Sequence, residues 1–579
     1  MDRSAPGGGQ GIEPLSVGQR PAAVIPGVQK AGFLEDLANA AETRGEIADR
    51  AVFLGQGGED SRVGIGFVDA SAGKHQQAGH EAGILVARRH EDFDPLGAVA
   101  RQEDCRGRSG NDRRVGHVHE GKFRWPPVDV NCWRIDRVCP LWAKLTPKGK
   151  MRMDGSEALS KSYAPLDERT VAPYVAAIPS ARATLGGAPE AWRVREVGDG
   201  NLNLVFIVEG PAGGVVVKQA LPYLRLVGEG WPLPLARSYF ESLALAEQAR
   251  AAPGLVPHVH AADRVGAAIT MEYLTPHIVL RKALIRGQHL PLMAGHMAEF
   301  LAATLFKTSD LHLPAARKKA LMVEFCANTA LCKITEDLVF TDPYRMAPAN
   351  RWTSPQLDAD AAQVRADAPL KVAVQRLKAK FLGSAEAMIH GDLHTGSIMV
   401  TADDTRAIDP EFACFGPMGF DVGALLGNLL IATIAHPAHA ADAERGRAYQ
   451  AWILDQAEAV WTGFGRRFRA LWAESGTGDA YTAELFADAA GKAALTLARD
   501  RYMANLFADS LGFAGCKMIR RVLGLAHVED LESIADPDRR AAAERRVLAL
   551  GRALILERET LRDFAAVRGL LARISGPVR

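Results

Sequence analysis

The 579-residue chain lacks several features that mark whole classes of protein. Seven Cys occur at irregular spacing with no Cys-Xaa-Xaa-Cys pair. That excludes a disulfide framework and a zinc ribbon, and reads as reduced thiols in a cytoplasmic protein. Neither sign of charge is in excess: 69 Lys+Arg stand against 68 Asp+Glu, a net charge of +1. The electrostatic footprint of a general nucleic-acid binder is therefore missing, and no nucleic-acid partner is expected. No uninterrupted apolar run reaches the roughly 18 to 20 residues that span a bilayer, and no basic stretch followed by an apolar one opens the chain, so no membrane association is expected. Met is absent between Met1 and Met151, although the chain contains 13.

That last gap coincides with a change of composition. Roughly two fifths of the 55 Gly precede Met151, Leu is sparse there, and apolar residues follow neither a period of 2 nor one of 3.6. Residues 1–150 read as a low-order extension, translated upstream sequence rather than part of the natural protein, with Met151 or Met153 as the natural start. A genuine, loosely ordered extension is the alternative. Within it, Val52-Phe53-Leu54-Gly55-Gln56-Gly57-Gly58 imitates a strand entering a dinucleotide turn, but the Gly-Xaa-Gly-Xaa-Xaa-Gly spacing is not completed.

The remaining sequence predicts two lobes of an α+β fold. Residues 153–274 contain short β-rich runs at 204–208, 215–219 and 268–273, broken by Gly-Asp-Gly-Asn and Pro-Ala-Gly-Gly turns. A helix near 236–249, with Tyr239, Leu243 and Leu245 as core contacts, interrupts this small antiparallel sheet. Residues 275–579 turn helical: Leu292, Met293, Met297, Phe300, Leu301 and Leu305 form one apolar stripe, and Ala/Leu/Arg helices recur after Asp442. A cleft is expected between the lobes.

The residues able to carry chemistry fall on both lobes. His390-Gly391-Asp392-Leu393-His394-Thr395-Gly396-Ser397 is a polar loop with one carboxylate, followed by an apolar strand, a turn, and Ile408-Asp409-Pro410-Glu411. A phosphotransferase divides its work in this way: Asp392 would accept or orient the proton of the attacking hydroxyl, and Asp409 with Glu411 would hold Mg²⁺, an ion that prefers oxygen ligands. Read as an extended segment, Asp409-Pro410-Glu411 puts both carboxylates on one side. His390 and His394 are not spaced for a metal on an extended segment, and His390 reads as a brace for the loop. Upstream lies a nucleotide half-site. Gly198, Asp199, Gly200, Asn201 and Asn203 form a strand-turn-strand able to lie over the phosphates of ATP. Lys218 ends a Val-Val-Val strand, Glu241 on the next helix is placed to pair with it, and Met271-Glu272-Tyr273-Leu274 sits where the lobes join, suited to backbone contacts with adenine.

Together, 390–400 and 408–423 resemble the S-methyl-5-thioribose kinase family, within the aminoglycoside-phosphotransferase and choline-kinase branch of the protein-kinase-like fold. The resemblance runs from about Met153 to the C-terminus. It includes Lys218-Gln219-Ala220-Leu221-Pro222-Tyr223, Gly230-Trp231-Pro232-Leu233 and Pro417-Met418-Gly419-Phe420-Asp421. Ser397 stands where most relatives carry Asn, and Asp409-Pro410-Glu411 where most carry Asp-Xaa-Asp, both pointing to the thioribose branch. The resemblance implies a bilobal kinase that uses ATP to phosphorylate the anomeric 1-hydroxyl of 5-methylthioribose in methionine salvage, as a homodimer. It also implies Asp392 as base, and Arg520 and Arg521 reaching the substrate and the transferring phosphate, with Asn201 and Trp231 at the substrate, Trp231 as a lid. Alternatives are an acceptor that is an aminoglycoside, choline or homoserine, which the twin arginines disfavour, and a non-catalytic nucleotide-binding pseudokinase, which Lys218, Asp392 and Asp409 oppose.

Overall fold

A computed structural model describes residues 50–56, 63–69, 161–198, 202–224 and 228–575. The chain divides into two units, Met1–Ile135 and Asp136–Arg579. In the first, strand β1 (Arg50–Gln56) pairs antiparallel with β2 (Val63–Asp69), Gln56 lying opposite Val63. The strand expected at Val52 is therefore one arm of a hairpin, whereas a dinucleotide turn would lead into a helix and a parallel strand. The rest of the expected extension lies outside the described residues.

The second unit opens on two short helices, Val171–Ala176 and Pro179–Leu185, where the sequence reading allowed the small lobe only one. At six and seven residues they are too short to display a helical period; Pro179 begins the second and Gly186, at φ +62°, ends it. A five-stranded antiparallel sheet follows, in the order β3 (Arg193–Glu196), β4 (Asn203–Glu209), β5 (Gly214–Ala220), β9 (Ala268–Glu272), β8 (Val259–Asp263). Val215 and Val217 face the two short helices in a small core with Val171, Val175 and Leu185. Because strand side chains alternate, Val216 and Lys218 emerge on the opposite face. A two-stranded flap of β6 (Tyr223–Leu224) and β7 (Gly228–Pro232) leads into helix Arg237–Ala251. That helix buries Phe240, Ala244 and Leu245, while Tyr239 and Leu243 are only half-buried. It also buries Arg237, Glu241, Glu247 and Gln248. Hydrophobic periodicity misjudged its inner face because that face is partly polar, built for a site rather than for a core.

The large lobe is helical around one core. Helix Met293–Lys307 carries the expected stripe, except that Leu292 precedes it and is exposed. Helix Met418–Ala435 is buried throughout. Residues Met418–Ala438 are long and apolar enough to cross a membrane, a stretch the sequence reading passed over because Asp421 and Asn428 interrupt it. Here the large lobe surrounds it. Against it packs helix Ala489–Leu523 at a distance set by glycine. A Cβ at Gly423 would collide with the Ser510 carbonyl, and one at Gly427 would sit 2.9 Å from that of Ala514. This close crossing fixes the functional end of helix Ala489–Leu523 beside the loop that follows β11 (Ala387–Ile389).

Candidate active site

Two loops of the large lobe and one strand of the small lobe build the site. The first loop runs from β11 to β12 (Ile398–Val400) and turns at Gly391, where φ is +84° and a Cβ would strike the Phe412 carbonyl, so only glycine fits. The buried Asp421 carboxylate accepts the backbone amides of His390 (2.6 Å) and Gly391 (3.0 Å). His390 Nδ1 accepts the Asp392 amide at 3.3 Å, which leaves Nε2–H to donate to the Ile408 carbonyl at 2.9 Å. His390 thus braces the loop, as expected, and also ties it to the second one. Ser397 Oγ donates to the Asp392 carbonyl at 3.1 Å.

Asp392 lies at the centre of a cationic shell. Its Oδ1 is 2.7 Å from Lys517 Nζ and 3.8 Å from Arg520 Nη1, and its Oδ2 is 3.3 Å from His394 Nε2. Burial pushes its carboxyl up, but Lys517, His394 and Arg520 overcome this and hold it well below the usual carboxylate range. Burial drives His394 down to about 3, against the pull of Asp392, so the ring is neutral. Its Nδ1 accepts the Gly396 amide at 2.9 Å, which places the proton on Nε2, facing Asp392. Arg521, 5% exposed, donates to the Ala526 carbonyl, yet its Nε and Nη2 have no partner, and neither has Arg520 Nε. Burial first, then Arg520 and Arg281, pushes Arg521 down to about 9. A guanidinium nonetheless stays charged at working pH, so the cluster is suited to an anion. Arg281, on helix Leu280–Ile285, is paired with Asp530 at 3.0 Å.

The second loop follows β13 (Thr405–Ala407). Asp409 adopts φ +67°, so the chain bends there and Asp409 and Glu411 do not alternate along an extended segment as the sequence suggested. The bend still brings them together: carboxylate oxygens of Glu241, Asp409 and Glu411 lie within 4.8 Å of one another. A side chain larger than Gly in this left-handed conformation is a strained feature typical of functional sites. Lys218 Nζ is 2.8 Å from Glu241 Oε2 and makes a direct ion pair with Asp409. Burial opposes its charge, but Asp409, Glu241 and Glu411 raise its pKa and keep it protonated. Glu411 is 1% exposed; its Oε2 accepts from Asn203 Nδ2 at 3.2 Å and lies 3.5 Å from Arg237 Nε, while Oε1 has no partner. An orphaned buried carboxylate oxygen beside two further carboxylates is a donor set that suits a hard divalent cation.

The other expected residues divide. Asn203, expected at the nucleotide, is turned inward onto Glu411 and Arg237. Gly198 is exposed at the tip of the sheet, and Asp199, Gly200 and Asn201 lie outside the described residues. Met271 and Leu274 are buried at the junction of the lobes. The Glu272 amide is engaged with the His258 carbonyl at 2.8 Å and its carboxylate accepts the His258 amide at 3.0 Å, so that amide is not free for a ligand. The Tyr273 hydroxyl accepts from Arg195 at 3.1 Å. Trp231 is half-buried and, with Pro232 and Leu233, lines a cavity of about 290 Å³ against Lys333, Ile334 and Asp337 of helix Thr329–Phe340.

Sequence reasoning missed Arg237, Asp421, Lys517 and Arg281. Arg237 is fully buried and gathers the carbonyls of Leu221 (2.6 Å) and Leu202 (2.9 Å) with Asn203 Oδ1 (3.1 Å) behind Glu411. Two of them carried a signal: Asp421 closes the segment 417–421 that carries the resemblance, and Lys517 precedes the twin arginines by three and four positions, so all three share one helix face.

Comparison with known proteins agrees with this geometry. Residues 193–463 match the phosphotransferase enzyme family, whose protein-kinase-like fold is the two-lobed arrangement described above. Methylthioribose kinase 1 of Oryza sativa subsp. japonica is 47% identical over 410 residues, covering 70% of this chain and 95% of the relative. The methylthioribose kinase of Escherichia coli O45:K1 is 46% identical over 413 residues, covering 71% and 98%. That of Geobacillus sp. strain WCH70 is 41% identical over 381 residues, covering 66% and 90%. With the kinase-like pair Lys218–Glu241, the Asp392 loop and the carboxylate cluster all in place, identity of this degree across nearly the whole of its relatives means that the chain belongs to the methylthioribose kinase family.

Proposed function

We propose that the protein transfers the γ-phosphoryl group of ATP to the anomeric 1-hydroxyl of 5-methylthioribose, giving 5-methylthioribose 1-phosphate and ADP, in methionine salvage. The observation that carries this reading is Asp392, a carboxylate kept ionised and tied through His390 to the loop that bears Asp409 and Glu411. Near-half identity with methylthioribose kinases supports the choice of acceptor. Lys218, held by Glu241, would engage the α- and β-phosphates, and residues 273–274 the adenine. Asp409 and Glu411 would hold Mg²⁺, which when bound neutralises charge on the phosphates, while both oxygens of Glu241 stay with Lys218. Asp392 then orients the 1-hydroxyl and takes its proton. Since Lys517 and Arg520 make Asp392 a weak base, that transfer comes late, as a loose phosphoryl transition state permits. Arg520 and Arg521 stabilise the charge that accumulates on the phosphoryl oxygens. Trp231, at the flap, shields the reacting groups from water.

The same cations disfavour a positively charged acceptor such as an aminoglycoside or choline. A coupled ADP-release assay with methylthioribose, ribose and kanamycin side by side tests the reading. Methylthioribose is expected to give by far the highest kcat/KM, and faster turnover of kanamycin or ribose would overturn it. We further propose a cytoplasmic homodimer. Leu485 and Leu497, 74% and 71% exposed beside and within the first turns of helix Ala489–Leu523, supply apolar surface for a second copy, and light scattering reporting only monomer would refute the pairing.

A further inference from the structure

A lysine side chain that is 1% exposed needs a reason, and in the reaction described above Lys517 does no more than lower the basicity of Asp392. It lies in the last two turns of helix Ala489–Leu523, whose close crossing with helix Met418–Ala435 leaves it no freedom to move outward. Its ammonium is 4.6 Å from the centroid of the Phe420 ring on one side and 2.7 Å from Asp392 Oδ1 on another. The Phe420 ring is itself locked among Phe340, Phe381 and Phe513. A cation between an aromatic face and a carboxylate in a dry interior has one position open to it. Burial and the neighbouring Arg520 and Arg521 oppose its charge, which costs the fold stability that a Leu or Met would not.

We propose that Lys517 is a positioning residue for phosphoryl transfer: it clamps Asp392 Oδ1, so that Oδ2, steadied only by the long contact to His394 Nε2, is aimed at the acceptor hydroxyl. The proposal rests on the reading of Asp392 as the hydroxyl-handling group. His394 donates at 3.3 Å from the same loop and is neutral, so it orients Oδ2 without adding charge. Arg520, at 3.8 Å, is beyond hydrogen-bond reach of Oδ1 and remains available to the phosphate. Arg521 points toward the Ala526 carbonyl, Arg281 is paired with Asp530, and Asp421 is occupied by two backbone amides. Among these groups Lys517 alone both touches Asp392 at hydrogen-bond distance and carries full charge toward it.

The test compares K517M and K517Q with wild type in kcat, KM for methylthioribose, and the pH profile of kcat/KM, with D392N measured alongside. Thermal denaturation and ATP binding by calorimetry establish that each variant is folded. K517M is expected to lower kcat at least about thirtyfold with less than about threefold change in KM. It should also move the acidic limb of the profile upward by at least one unit, because an opposite charge within hydrogen-bond distance lowers a carboxylate pKa by about 1 to 3. K517Q, which keeps a donor but no charge, should retain more kcat than K517M while showing the same shift of the limb. A folded K517M with wild-type kcat, or with its whole loss in KM, or with an unmoved acidic limb, overturns the proposal. Failure of both variants to fold overturns it too, since Lys517 would then serve stability. If D392N itself keeps wild-type kcat, the underlying reading of Asp392 fails, whatever the Lys517 variants do.

Discussion

Replacing Asp392 by Asn probes both the chemistry and the electrostatics of the site. The amide keeps the size of the carboxylate and can accept one hydrogen bond, but it can neither take a proton nor balance the charge of Lys517. A positioned base contributes about 10²- to 10⁴-fold, so kcat should fall at least a hundredfold. The structure adds a second consequence. Lys517, 1% exposed and 2.7 Å from Asp392, would be left without its partner, and breaking a buried pair costs about 3 to 5 kcal/mol. The loss has a ceiling, because the ammonium can shed its proton. For a free Lys of pKa about 10.4 that costs about 4.6 kcal/mol at pH 7, at 1.36 kcal/mol per unit. In the intact site burial holds Lys517 down to about 8, with Asp392 pulling upward, and without Asp392 it falls further. The sign follows from proton counting. Below about pH 8 the folded variant has already lost a proton that the unfolded chain keeps, so the variant gains stability as pH rises, whereas the wild type, still protonated there, does not. Above about 8 both gain alike. Urea denaturation should therefore show D392N destabilised by about 3 to 5 kcal/mol near pH 7, with the gap narrowing as the pH rises toward about 8 and then staying constant. A gap independent of pH, or kcat within a few-fold of wild type, would refute the reasoning.

For Asp409→Ala, turnover should be lost and Mg²⁺-dependent nucleotide binding weakened, because one of three clustered carboxylates is removed; calorimetric titration of ATP with and without Mg²⁺ checks this, and an unchanged Mg²⁺ effect would remove Asp409 from the metal site. Arg237→Met should destabilise the fold by about 3 to 5 kcal/mol in urea denaturation, since it strips a buried cation from Glu411 and hydrogen bonds from the Leu202 and Leu221 carbonyls. Gly423→Ala should cost about 1 to 3 kcal/mol by forcing apart helices Met418–Ala435 and Ala489–Leu523, and it should lower kcat as Lys517 and Arg520 shift with the second helix. Gly569→Ala is its control: a Cβ there meets nothing within 4 Å, and the change should be neutral or stabilise by about 0.4 to 1 kcal/mol.

What the sequence made legible was local. The runs at 204–208, 215–219 and 268–273 became β4, β5 and β9 because β-branched residues between turn signals act over a few positions. The pairing of Lys218 with Glu241 was readable because an alternating strand and the helix that follows it leave few arrangements open. Less legible was anything set by residues distant in the chain. Arg237 looked like an ordinary polar residue at the start of a helix; it is buried because Glu411, far along the sequence, lies opposite it. Asn203 sat in a phosphate-binding pattern, yet its partners are again Arg237 and Glu411. Asp409 and Glu411 were correctly brought together by a wrong route, since no local rule predicts φ +67° at an Asp.

Charge divides the site in a way that suits movement of a phosphoryl group across it. On the nucleotide side the carboxylates Glu241, Asp409 and Glu411 face the cations Lys218 and Arg237, an excess of negative charge that a divalent ion would reverse. On the proposed acceptor side Lys517, Arg520, Arg521 and Arg281 face Asp392, Asp530 and, beside Lys517, Asp421, still an excess of positive charge with guanidinium nitrogens unpartnered. His390 joins the two halves through the Asp392 amide and the Ile408 carbonyl, so neither loop can shift without the other. A phosphoryl group leaving ADP for a sugar hydroxyl carries negative charge toward the side with the surplus of cations. These buried cations are held in place by helix packing rather than by solvent, and need little reorganisation as that charge arrives.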